Sequence, residues 1–174
     1  MTVKRKTYDF SALLFDSRRE VIENAAEVLE LNPSMLPEVI ELCKSSYPIS
    51  MRAARVIQFY FERHTDEIPY YADILFDELN NTKIDGVKRS FLKTIQLLPQ
   101  ITDYGNAGKV FDICLNWLLS ESETIAVKAY SLDLLMKFVS EQPELKNELK
   151  VILDNDQINQ HHSLKLRCNK FLKR

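Results

Sequence analysis

An apolar residue followed by a basic one opens one helical stretch after another in this chain of 174 residues. The pairs are Met51-Arg52, Val87-Lys88, Val127-Lys128 and Leu164-Lys165, with Ser17-Arg18 as a weaker first copy. Between the basic members the steps are 34, 36, 40 and 37 residues. A recurrence in that range marks an architecture in which each unit buries its apolar face only against its neighbours. The spacing therefore predicts a solenoid built from helix pairs.

The intervening sequence supports helices at every step. Val21, Ile22, Ala25, Ala26, Val28 and Leu29 trace an apolar stripe near the 3.6 period over Arg18 to Leu31. Asn32-Pro33-Ser34 breaks that pattern, and Ser34 is placed to cap Met35 to Lys44. Ser50 caps a helix from Met51 to Arg63, and another starts at Thr65 or Asp66 and passes through Leu79. Asp85 caps Val87 to Leu98, and Pro99 stops it. After the irregular Tyr104-Gly105-Asn106 come Ala107 to Leu119, Thr124 to Val139, Pro143 to Leu153 and a last helix from Ser163. Only 3 glycines occur, too few for a β-rich fold or a glycine-rich nucleotide loop, which need positive-φ positions.

Aligned on the basic residue, the second helix of each pair repeats its core positions. Ile22, Val56, Leu92 and Leu132 stand at +4; Ala25, Phe59, Ile95, Leu135 and Leu172 stand at +7. Asn169 breaks the +4 series in the last copy, as a terminal capping repeat would. Three first helices carry proline in or just before their first turn, at Pro37, Pro69 and Pro143, where a missing N–H costs little. A pair of about 37 residues whose second helix opens on Val-Lys or Val-Arg resembles a HEAT repeat. Val127-Lys128-Ala129 through Leu134-Leu135 is the best single match and Val87-Lys88 the next. The resemblance runs from about Asp16 to Leu172. It implies an all-α fold, an α-α superhelix of about four to five HEAT-like helix pairs, in a single domain over residues 1–174. Residues 1–15 are expected to form a partly ordered or capping lead. It also implies a scaffold that binds a partner and carries no chemistry of its own. The DNA alkylation repair glycosylases are an exception among HEAT-like proteins, so a related nucleic-acid-binding protein is the alternative. Their catalytic Asp lies among tryptophans; here Asp133 has Ala129 four residues before it, and the sole tryptophan, Trp117, lies on a first helix. The glycosylase activity does not carry over.

No catalytic, metal or cofactor site is expected. Cys-x-x-Cys, His-Glu-x-x-His, Gly-x-Ser-x-Gly and phosphate-loop patterns are all missing. His161 and His162 are adjacent and point about 100° apart on a helix, which does not suit a shared metal. Asp73, Asp77 and Glu78 read as a solvated stripe, and Phe59, Tyr60, Phe61, Tyr70, Tyr71 and Phe76 as core between repeats with one or two tyrosines reaching the surface. Cys43, Cys114 and Cys168 are odd in number and set among apolar residues, which points to reduced, buried thiols and a cytoplasmic protein. No stretch approaches the ~18 apolar residues of a membrane helix, and no membrane partner is expected.

The charges carry what functional information remains. A net of −2 hides segregation: Thr2 to Thr7 holds three bases and no acid, and His161 to Arg174 holds five and none. From Met51 onward the second helices carry thirteen bases, Lys173 and Arg174 among them, against the acids Glu62 and Asp133. The first helices are mainly acidic, with Asp66, Glu67, Asp73, Asp77 and Glu78 in one of them. In a HEAT-like solenoid the second helices line the concave face. A protein partner with an acidic surface or segment is expected there, and nucleic acid less so. The candidate binding residues are Arg52, Arg55, Lys88, Arg89, Lys93 and Lys128. A cation at a helix start faces the positive end of the dipole, so local carboxylates should compensate it: Asp16 for Arg18, Asp85 for Lys88, Glu123 for Lys128. Arg55, Arg89 and Lys93 have less obvious local partners, so the functional expectation rests more on them.

Overall fold

The computed structural model describes residues 8–153 and 161–172 and, among them, contains helices and short connections and no strand. The basic start from Thr2 to Thr7, the terminal Lys173 and Arg174, and the side chain of Leu172 lie outside the described residues. Ten α-helices follow in order among the described residues: α1 Phe10–Leu13, α2 Arg19–Leu31, α3 Leu36–Leu42, α4 Ile49–Arg63, α5 Ile68–Asn81, α6 Asp85–Gln96, α7 Ala107–Leu119, α8 Ile125–Glu141, α9 Lys146–Leu153 and α10 His162–Leu172. Four 3-10 turns, Pro33–Met35, Thr65–Glu67, Ile101–Asp103 and Pro143–Leu145, precede α3, α5, α7 and α9. One turn per first helix is itself a repeat signature.

Helix starts differ from the sequence reading at Ser34, Ser50 and Asp85, none of which caps a helix. Ser50 lies inside the first turn of α4 and is fully buried, and Asp85 is the first residue of α6. The reason lies in the backbone. The 3-10 turn before α3 already closes Met35 N–H onto the Asn32 carbonyl, and before α6 the Ile84 carbonyl accepts from Val87 and Lys88 N–H at 2.9 and 3.0 Å. Backbone acceptors thus take amides that a side-chain cap would otherwise satisfy. A true cap occurs instead at Asp9, whose carboxylate accepts from Ser11 N and Ala12 N at 3.0 and 3.3 Å and starts α1. Phe10 and Leu14 are fully buried, so this lead closes the first end of the core.

Two layers result. The second helices α2, α4, α6, α8 and α10 pack directly on one another at each step, while α3, α5 and α7 each lie on the second helix that follows. Neighbouring first helices meet closely only at α5 against α7. The second helices are the more continuously packed layer and are termed the inner layer. The core lies between the layers. Ile22, Val56, Leu92 and Leu132 are buried, as are Ala25, Ile95 and Leu135. Phe59 departs from the series; it is half-buried, with the Arg19 and Arg55 guanidiniums 5.8 and 5.9 Å from its ring centre. Tyr60, Phe61 and Phe76 are core and Tyr70 reaches the surface, as expected.

Gly86 sets the closest approach in the inner layer. A Cβ there would fall 2.1 Å from Met51 Cγ, so α6 meets α4 at a point where only hydrogen fits. Both residues line the same groove. No helix among the described residues is long and apolar enough to cross a membrane.

Candidate functional site

Bonds between side chains and neighbouring repeats recur with the period of the sequence. Arg52 donates from Nε to the Ser17 hydroxyl at 2.9 Å and from a terminal nitrogen to the Leu14 carbonyl at 2.8 Å. Arg55 donates to the Ser17 carbonyl at 2.9 Å. Arg63 pairs with Glu30, Lys88 with Glu123, and Arg167 with Asp133 at 3.0 Å. Glu141 accepts from Thr102 N at 3.0 Å and faces Lys137 at 3.1 Å. Burial works to raise the Glu141 carboxyl, but bonds from the Thr102 amide, Lys137 and the Thr102 hydroxyl outweigh it and hold its pKa below the ordinary value.

These links divide the six candidate cations. Arg52 is committed to the segment before α2 and Lys88 is buried against Glu123, its ammonium also 4.7 Å from the centre of the Trp117 ring. Two expected pairs are therefore replaced, since Lys88 takes Glu123 rather than Asp85, and Glu123 is no longer at hand for Lys128. Lys128 is half-buried and makes no ion pair with a described residue. The third expected pair, Arg18 with Asp16, forms at 2.7 Å. The extended ends of α6 and α8 bring Asp85 and Glu141 into the inner layer beside Glu62 and Asp133. The layer is accordingly less one-signed than its sequence boundaries suggested.

Arg55, Arg89 and Lys93 are brought together. They line one groove of about 200 Å³ with Met51, Gln58, Gly86, Ser90 and Tyr130, contributed by α4, α6 and α8. No carboxylate is in that lining. Each cation is steadied by an uncharged group: Arg55 by the Ser17 carbonyl and the Phe59 ring, Arg89 by the Asp85 carbonyl at 3.3 Å, and Lys93 by the Tyr130 ring at 5.0 Å. Carbonyl dipoles and ring faces orient a cation without cancelling its charge. Glu62 accepts from Gln58 at 2.7 Å, but is exposed and outside the lining.

Gln58, Ser90 and Tyr130 were missed by the sequence reading. Ser90 and Tyr130 both stand two residues after the repeated basic residue, and that shared register was a usable signal. A larger cavity, about 870 Å³, lies among α8, α9 and α10, but there Asp133 pairs with Arg167 and Glu141 with the lining Lys137. Among the described residues no group of three His, Cys, Asp or Glu could hold a metal. His161 and His162 are exposed, and His64 stacks on Tyr60 at 4.6 Å.

The family model described as HEAT repeat domain matches residues 11–174. No curated protein and no solved structure matches the chain.

Proposed function

Because this chain belongs to the HEAT repeat domain family, we propose that it is a non-enzymatic scaffold that binds a protein partner through the inner face of its second helices. The site on that face is the groove of Arg55, Arg89 and Lys93, and the partner presents an acidic segment to it. The observation carrying this reading is the grouping of three cations in a groove with no carboxylate, while Arg52, Lys88 and Arg167 are spent on intramolecular bonds. A charge left without compensation at one place, and compensated elsewhere, favours recognition over stability.

The nucleic-acid reading is the weaker one on the same ground. A strand tracked along the inner layer would meet regularly spaced free cations, one repeat after another. Here Arg52, Lys88 and Arg167 are tied up, which leaves a short cluster in place of a track.

Titration of a fluorescent Asp/Glu-rich peptide into the full chain tests the reading, with duplex and single-stranded DNA in parallel at ~50 mM salt, where phosphate contacts are strongest. Arg89→Glu should weaken the peptide by about tenfold through reversed charge at a desolvating contact. Lys165→Glu, on an exposed surface of α10, should leave it unchanged. Unaltered binding by Arg89→Glu, or tighter binding to DNA than to the peptide, would count against the proposal.

A further inference from the structure

We propose that the groove between α4, α6 and α8 receives a phosphomonoester, carried on a phosphorylated side chain of the bound protein segment. This rests on the inner-face reading above and narrows it to one chemical group. Three features favour a compact dianion over a carboxylate.

The first is charge. Arg55, Arg89 and Lys93 enter the lining together, and none meets an acid there. A carboxylate would answer one of the three, whereas a phosphomonoester brings about −1.5 to −2 at pH 7 and three acceptor oxygens. The larger polar cavities differ in that each has a carboxylate in its lining: Glu78, paired with Lys44, beside α5, and Asp133, paired with Arg167, beside α10.

The second is donor geometry. Two guanidiniums, an ammonium and the Ser90 hydroxyl share the lining, and guanidinium forks suit paired phosphate oxygens. The volume of about 200 Å³ holds roughly six waters at ~30 Å³ each, the scale of a phosphate with a remnant of its hydration.

The third is preorganisation. The Ser17 carbonyl, the Phe59 ring, the Asp85 carbonyl and the Tyr130 ring already restrain the three cations. Side chains ordered before binding lose less entropy on binding. The restraint is uncharged, so the field in the groove is kept. A diester backbone has no matching run of sites, because Arg52 at the start of α4 and Arg167 on α10 are bonded internally.

The test uses the full chain, 15N-labelled, and three acidic nine-residue peptides identical but for Ser, Glu or phosphoserine at the centre. Inorganic phosphate and sulfate serve as free-anion controls. At pH 7.5 the phosphoserine peptide should bind about tenfold more tightly than the Glu peptide, moving the amides of Gly86, Ser90 and Tyr130. The advantage should shrink at pH 5.5, because the second phosphate pKa lies near 6 and the monoanion predominates there, while sulfate binding stays flat. Arg89→Gln and Lys93→Gln should bring the phosphopeptide down to the Glu level, with thermal unfolding confirming intact folds. Equal affinity for the Glu and phosphoserine peptides would overturn the phosphomonoester assignment and leave the acidic-partner reading standing. Inorganic phosphate moving the same amides, with no gain for the phosphopeptide over it, would overturn the peptide as source. Absence of binding by any peptide would remove both readings.

Discussion

At Lys88 an ammonium has left solvent almost entirely: the residue is 6 % exposed, faces Glu123 from the next repeat and lies over Trp117. Removing one partner of such a pair strands the other charge in a poorly hydrated place. Lys88→Met should therefore cost about 3–5 kcal/mol of stability, read from urea denaturation. Lys88→Met with Glu123→Leu should recover much of it, since the remaining charge is removed as well. A double variant no more stable than the single would show that Trp117 packing, not the charge, is the main contribution. The sequence announced the basic residue in every repeat but not its destination. Arg52, Lys88 and Arg167 find partners 34 to 38 residues away, one repeat along, and no local spacing reveals such a choice. Local reasoning succeeded only at Arg18, whose partner Asp16 is two residues away.

Between elements, the contact of α4 with α6 turns on Gly86 and Met51. Gly86→Ala would gain up to about 1 kcal/mol of helix propensity. Against that, its methyl would overlap Met51 Cγ, and overpacking of this kind costs about 1–3 kcal/mol. The net expectation is destabilisation of Gly86→Ala, with Met51→Ala in the same chain making the added methyl neutral or favourable. A double-mutant cycle in urea checks this; additive effects would mean that the two positions do not meet. At this scale the helices were legible, because apolar period, proline position and connection length agree. Helix starts were not, because Ser34, Ser50 and Asp85 have cap-forming side chains in places where backbone carbonyls already accept the amides. The groove was legible in part: Arg55, Arg89 and Lys93 were marked by less obvious local partners. Gln58 and Tyr130 come into it only when neighbouring second helices are set side by side.

Across the whole stack, support is uneven. The middle second helices α4, α6 and α8 each have second-helix neighbours on both sides and a first helix behind them. By contrast, α10 rests mainly on α8, and α9 is anchored chiefly by Leu149, Leu153 and its leading turn on α8. Repeat stacks gain stability from each interface, so the end with fewer interfaces should open first. Amide exchange should be fastest in α9 and α10 and slowest in α4 and α6; uniform protection would show instead that the stack opens as one unit. The three cysteines extend this consequence. Cys43 closes α3, Cys114 lies in α7 and Cys168 in α10, and all three are buried with thiols pushed above their ordinary pKa by burial. Folded, they are silent toward alkylating reagents, which need an accessible thiolate. Nature has thus set one dormant chemical clock in the opening, middle and closing thirds of the chain, and pulsed alkylation would let each strike when its own part of the coil lets go.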